Sequence, residues 1–188
     1  MKQQHTLLLG LLASGIMSGA AQADWALDQA KSSLHFATVK NSTAAEVHHF
    51  KTLDGKITDD GKASLNITLD SLDTANPIRD ERMQKQLFET KDHPEAIVSL
   101  DLGKEGVQAG TQTISATLSL HGKQQTLSTP VFVSMNDDTV QVNSLAPIVV
   151  SATDFELGAG VETLRELAKL ESINLTVPVS FQLVYTKQ

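Results

Sequence analysis

The sequence predicts an all-β domain, a predominantly antiparallel barrel carrying one or two short helices. Three observations predict it: short segments of alternating polarity, turn residues between them, and helical periodicity confined to two stretches. Alternation at period two places apolar side chains on one face of a strand and polar ones on the other. Neighbouring strands of this kind pair antiparallel, and closing the sheet removes its exposed edges.

The elements follow in chain order. Residues 1–23, MKQQHTLLLGLLASGIMSGAAQA, hold a lysine, a short apolar run and a final Ala-Gln-Ala. This is the grammar of a cleaved secretory signal peptide, so the expected mature chain is one domain over residues 24–188, exported to the periplasm. Strands are expected over 33–40 and 47–57, then at Leu65, Ile67 and Leu69, which alternate with Asn66 and Thr68. Asn76-Pro77 reads as a helix start, because asparagine caps free N–H groups and proline suits the first helical position. The helix is expected over 78–89, with Met83, Leu87 and Phe88 on one face and Asp80 in the first turn. Further strands are expected over 96–102, 114–120, 127–134, 139–142 and 147–152, and a second helix over 161–170. The last strand is the longest: Ile173, Leu175, Val177, Val179, Phe181, Leu183 and Tyr185 recur at period two. Pro178 cannot donate to a ladder, so an edge, bulge or break is expected there. Asp54-Gly55, Asp59-Asp60-Gly61, His121-Gly122 and Asn136-Asp137-Asp138 supply the turns.

Composition narrows the function. The chain has 188 residues, no cysteine and a formal charge of −7. An exported domain without cysteine has neither a disulfide scaffold nor thiolate chemistry, and must hold itself by burial. No basic stripe exists to neutralise phosphates, so nucleic acid is not an expected partner. No G-x-S-x-G, H-E-x-x-H or Gly-rich phosphate loop is present, and no catalytic residue is expected. Asp73, Asp80 and Glu81 are read as caps and as partners of Arg79 or Arg82, with Asp73 or Asp80 holding Arg79. His48 and His49 are neighbours on an expected strand, point to opposite faces, and cannot chelate one ion. The spacing of His35, His93 and His121 does not demand convergence, so no metal site is expected.

The stretch 71–100 carries a resemblance. Ser71-Leu72-Asp73-Thr74, Arg79-Asp80, Leu87-Phe88 and His93-Pro94 follow in order. Leu118-Ser119-Leu120-His121-Gly122-Lys123 and Asp154-Phe155 come later. Together these resemble the YceI-like family of lipocalin-like, polyisoprenoid-binding periplasmic proteins, over nearly all of residues 25–186. The chain departs from the family pattern at Arg82 (commonly His), Met83 (Leu), His93 (Tyr), Val98 (Phe) and Glu156 (Gly). The resemblance implies an elongated lipocalin-like antiparallel β-barrel of about eight strands. It further implies a hydrophobic pocket for an isoprenoid or other long-chain lipid, no further cofactor, and a homodimer.

Barrels of about eight strands are wide enough to be filled by side chains or to hold one small ligand. If hollow, the expected lining is Phe36, Phe50, Leu65, Ile67, Leu69, Ile114, Ala116, Leu118, Val131, Val177, Val179 and Phe181. His48, His49 and Arg79 are expected at the pocket mouth, where polar groups would fix a head group. The expected function is binding, with transport or sequestration, of a hydrophobic or amphiphilic small molecule. Strand alternation leaves a second reading open: a non-enzymatic interaction or structural protein whose barrel is filled by side chains.

Overall fold

A computed structural model of the chain describes residues 23–188. The expected leader, 1–23, lies outside the described residues apart from Ala23, which opens the first strand. Twelve strand segments are present: β1 (Ala23–Leu27), β2 (Ser33–Lys40), β3 (Ala44–Phe50), β4 (Leu53–Thr58), β5 (Lys62–Thr68), β6 (Leu72–Asp73), β7 (Glu95–Asp101), β8 (Gly110–Leu120), β9 (Lys123–Met135), β10 (Thr139–Ser144), β11 (Ile148–Ser151) and β12 (Thr176–Lys187). Two helices join them, α1 (Pro77–Gln86) between β6 and β7, and α2 (Gly158–Ala168) between β11 and β12.

All pairings are antiparallel, and they close a ring. β1 pairs with both β4 and β12, so the sheet has no seam on that side. β2 continues β1 along the same neighbours, pairing with β12 and β3. In the same way β3 runs into β4, β5 into β6 and β10 into β11, so the segments merge into eight staves. Closure satisfies backbone groups that an open sheet would leave unpaired.

Two of the breaks have an identifiable cause. β1 gives way to β2 at a 3-10 turn over Gln29–Lys31, where the Asp28 carboxylate accepts from the Ala30 N–H at 3.1 Å. The strand expected over 47–57 is split, because Lys51 N–H donates to the Ser71 carbonyl and Thr52 N–H to the Ser71 hydroxyl, both at 3.0 Å. Pro178 does not break β12. The ladder to β2 simply ends at the adjacent Val179–Phe36 pair, while Pro178 keeps its place opposite Val149 of β11.

The ends of the barrel differ. The tight β4–β5 and β9–β10 turns and both termini of the described chain lie at one end. The other end carries the β2–β3 turn, the β8–β9 turn and both helices. α1 starts as expected: the Asn76 side chain accepts from the Ile78 and Arg79 N–H groups at 3.2 Å, and Pro77 occupies the first turn. It ends at Gln86, three residues short of the expected limit. α2 starts three residues earlier than expected, at Gly158, in a stretch of glycines with no apolar period. Packing overrides propensity there. A Cβ on Gly160 would stand 2.6 Å from the Gln86 carbonyl oxygen and 3.0 Å from the Leu87 Cα, so only glycine lets α2 meet the end of α1.

Glu156 has a left-handed φ of 58° after the 3-10 turn Ala152–Phe155, which explains why a glycine suits this position. Its carboxylate pairs with Lys123 at 2.7 Å, tying the turn to the start of β9. No helix among the described residues is long and apolar enough to cross a membrane.

Candidate functional site

The inward faces of the staves enclose a cavity of about 760 Å³. Its walls are almost wholly apolar, as period-two alternation requires of a closed sheet. Phe36, Phe50, Leu65, Ile67, Leu69, Ile114, Ala116, Leu118, Val131, Val177, Val179 and Phe181 all line it, together with His48 and Arg79. His49 does not: it falls on the outer face of β3, its ring 5.8 Å from that of His35 on β2. Strand pleat accounts for the separation, since adjacent residues project oppositely.

The two sides of the cavity are packed differently. Leu65, Ile67, Leu69 and Val131 are buried. Phe36 stacks on Phe50 with centroids 5.5 Å apart, and Phe50 reaches Phe88 at 6.1 Å, forming an aromatic row from β2 to the end of α1. Ile114, Leu118 and Leu120 of β8 also point inward, as do Val177, Val179 and Phe181 of β12, yet each is only half-buried. In a barrel filled by side chains these positions would lose their accessible surface. Here they face open space.

Every fully charged side chain on the wall lies at the helical end. Lys40, Arg79 and Arg82 share this end of the wall with one carboxylate, Glu46, so the mouth carries two more cations than anions in an acidic chain. Arg79 bonds Glu46 at 2.5 Å and the Thr74 carbonyl at 2.6 Å, while Lys40 bonds Glu46 at 2.7 Å. This corrects the expected partners. Asp80 instead accepts from the Thr74 N–H at 2.9 Å and from its hydroxyl, and Asp73 accepts from the Ala75 N–H at 2.8 Å and lies 3.7 Å from Lys51. The hydrogen bond from Lys40 holds the Glu46 carboxyl below its ordinary range, and the Arg79 charge reinforces this against the effect of burial.

Beneath this cluster sits His48, 2% exposed, its Nε2 3.0 Å from the Thr38 hydroxyl. His48 Nδ1 and Arg79 Nε are buried without a hydrogen-bond partner among the described residues. Unpaired buried polar atoms are costly, so two of them beside one mouth mark a locally destabilising polar spot in an otherwise apolar wall. Burial pushes the His48 pKa down, with the Arg79 charge acting in the same direction. A histidine whose folded pKa lies below its unfolded value stabilises the fold above that unfolded value, near 6.5, and loses this contribution as pH falls through the folded pKa. The melting temperature should therefore drop as pH falls below about 6.5, before carboxylates titrate. Melts of His48→Gln should show a flatter profile between about pH 5 and 7. An unchanged slope would count against a buried neutral imidazole.

Sequence reasoning missed one convergence. Glu89 and His93, after α1, meet His121 in the β8–β9 turn, with their ligand atoms all within 4.8 Å of one another. Sequence spacing does not demand this convergence, whereas antiparallel pairing of β7 with β8 brings the start of one and the end of the other together.

A family model described as the YceI-like domain matches residues 25–185. Among solved structures, a polyisoprenoid binding domain from Saccharophagus degradans implicated in plant cell wall breakdown is 35% identical, with a TM-score of 0.83, over 89% of this chain and 100% of that one. BcnA of Burkholderia cenocepacia is 20% identical with a TM-score of 0.67, over 84% of this chain and 98% of that one. A YCEI protein of Campylobacter jejuni is 14% identical with a TM-score of 0.56, over 75% and 84%. The last two show a shared fold. No curated protein matches the chain.

Proposed function

The chain belongs to the YceI-like domain family, and on that premise we propose that its barrel binds one long-chain isoprenoid or similar amphiphile, which it carries or sequesters. The carrying observation is the half-buried inward face of β8 and β12, where apolar side chains border open space in a closed barrel. A cavity of about 760 Å³ is also within the ordinary range for small-molecule sites. The tail lies along the apolar wall, and its burial drives binding. The head sits at the mouth, where Lys40, Arg79 and Arg82 outnumber Glu46. The polyisoprenoid-binding domain that is 35% identical supports the ligand class.

In this reading the protein is a binding protein and not an enzyme. Its Lys-led, Ala-Gln-Ala-ended leader directs it to the periplasm, and its acidic surface suits it to small molecules over nucleic acid. Assembly as a homodimer belongs to the same reading.

The head-group assignment is tested by comparing a short prenyl phosphate with the matching prenyl alcohol in a calorimetric titration. The phosphate should bind more tightly. Arg79→Gln should weaken the phosphate about tenfold, the scale of one hydrogen bond to a charged group, and leave the alcohol unchanged. Equal affinities that Arg79→Gln does not alter would overturn the assignment.

A further inference from the structure

We propose that Glu89, His93 and His121 form a binding site for a first-row divalent metal ion of the zinc type, outside the lipid cavity. None of the three residues lines that cavity. The donors come from two segments that the sheet brings together. Glu89 ends the turn after α1, and His93 follows one loop later, its N–H donating to the Glu89 carbonyl at 3.0 Å. His121 comes from the other side of the barrel rim, as the first residue of the two-residue turn between β8 and β9.

The geometry suits an ion. The three ligand atoms lie within 4.8 Å of one another, and His121 Nε2 stands 3.1 Å from a Glu89 carboxylate oxygen. Zinc–ligand bonds of about 2.0–2.2 Å at tetrahedral angles place ligand atoms about 3.4 Å apart, so small side-chain rotations complete the set. The imidazole centroids are 4.4 Å apart and tilted by 56°, an arrangement that lets two ring nitrogens address one point. The backbone fixes both supports. Glu89 and His121 hold left-handed φ values of 49° and 51°, and Gly122, with φ 74°, completes a turn whose two central residues both have positive φ. A Cβ on Gly122 would lie 3.6 Å from the His93 ring, so the turn packs directly beneath it.

The donor set defines the ion class. Two imidazoles and one carboxylate match zinc and its first-row neighbours, whereas calcium and magnesium prefer oxygen-only shells. Three protein ligands leave one position for water. A metal here links the loop that trails α1 to the β8–β9 turn. Because Leu87 and Phe88, immediately before Glu89, line the cavity, the ion would fasten the helical lid to the barrel rim. His93 stands where the family pattern commonly has tyrosine, which could not supply the second imidazole of this set.

The test uses tag-free full domain, stripped with chelator and titrated with Zn²⁺, then with Co²⁺. Equilibrium dialysis with metal analysis should give one Zn²⁺ per chain, and Co²⁺ should give the visible absorption of a low-symmetry nitrogen and oxygen site. His93→Gln and His121→Gln should each weaken Zn²⁺ binding by at least about tenfold, with circular dichroism unchanged. A His35→Gln/His49→Gln double variant, which removes the outward-facing histidine pair, should bind as the parent does. The proposal is overturned if the parent binds no ion, or if binding survives in His93→Gln/His121→Gln and disappears in His35→Gln/His49→Gln.

Discussion

Ala116→Trp should leave the protein folded and abolish most of its uptake of long-chain amphiphiles. Ala116 points inward midway along β8, opposite Leu127 of β9, on the side where the wall borders open space. An indole placed there enters the cavity and displaces ligand. Each buried methylene contributes about 0.8 kcal/mol, so excluding three or four costs about 3 kcal/mol of binding. That is roughly a hundredfold in Kd. Ser115→Trp is the matched control, because Ser115 faces outward and shares a 2.7 Å hydrogen bond with Ser128. Fluorescent fatty-amphiphile titrations of both variants check the result. Equal uptake by Ala116→Trp and the parent would place the ligand elsewhere.

Phe155→Ala should be the most destabilising single truncation in the helical lid, at about 3–5 kcal/mol. Phe155 is 1% exposed and is the largest fully buried side chain among the described residues. It ends the 3-10 turn that connects β11 to α2, and this turn packs on both β9 and α2. Its ring therefore anchors the lid to the barrel. The neighbouring Glu156 is already in a left-handed conformation, and Gly160 already meets the α1 backbone, so the turn cannot collapse to fill the gap. A loss of this size takes a large share of the 5–15 kcal/mol typical of a domain. Urea melts measure it. A shift under about 1 kcal/mol would show that the lid contributes little to the fold.

The barrel was readable in the sequence wherever one face stays apolar over many residues. Val177, Val179, Phe181, Leu183 and Tyr185 announce β12 at period two, and Asn76-Pro77 announces α1, because both signals are local. β1 was not expected. Its five residues offer only Trp25 and Leu27 as large apolar groups, and it is defined by its partners β4 and β12. The break between β3 and β4 was hidden for a similar reason, since it depends on Ser71, about twenty residues away. The partner of Arg79 was hidden as well: Asp73 and Asp80 are close in sequence, but Glu46 of β3 is close in space. Alternation picks out inward positions along each strand, yet the same alternation describes a filled barrel. Only the accessible surface left on Ile114, Leu118 and Val179 separates the two.

The most direct measurement of the central claim is the content of the barrel itself. The protein is purified without detergent, extracted with organic solvent, and its extract analysed by mass spectrometry beside native mass spectra of the intact protein. The hollow-barrel account predicts one isoprenoid or long-chain amphiphile per chain, lost in Ala116→Trp. An empty protein that also takes up no hydrophobic probe would contradict it.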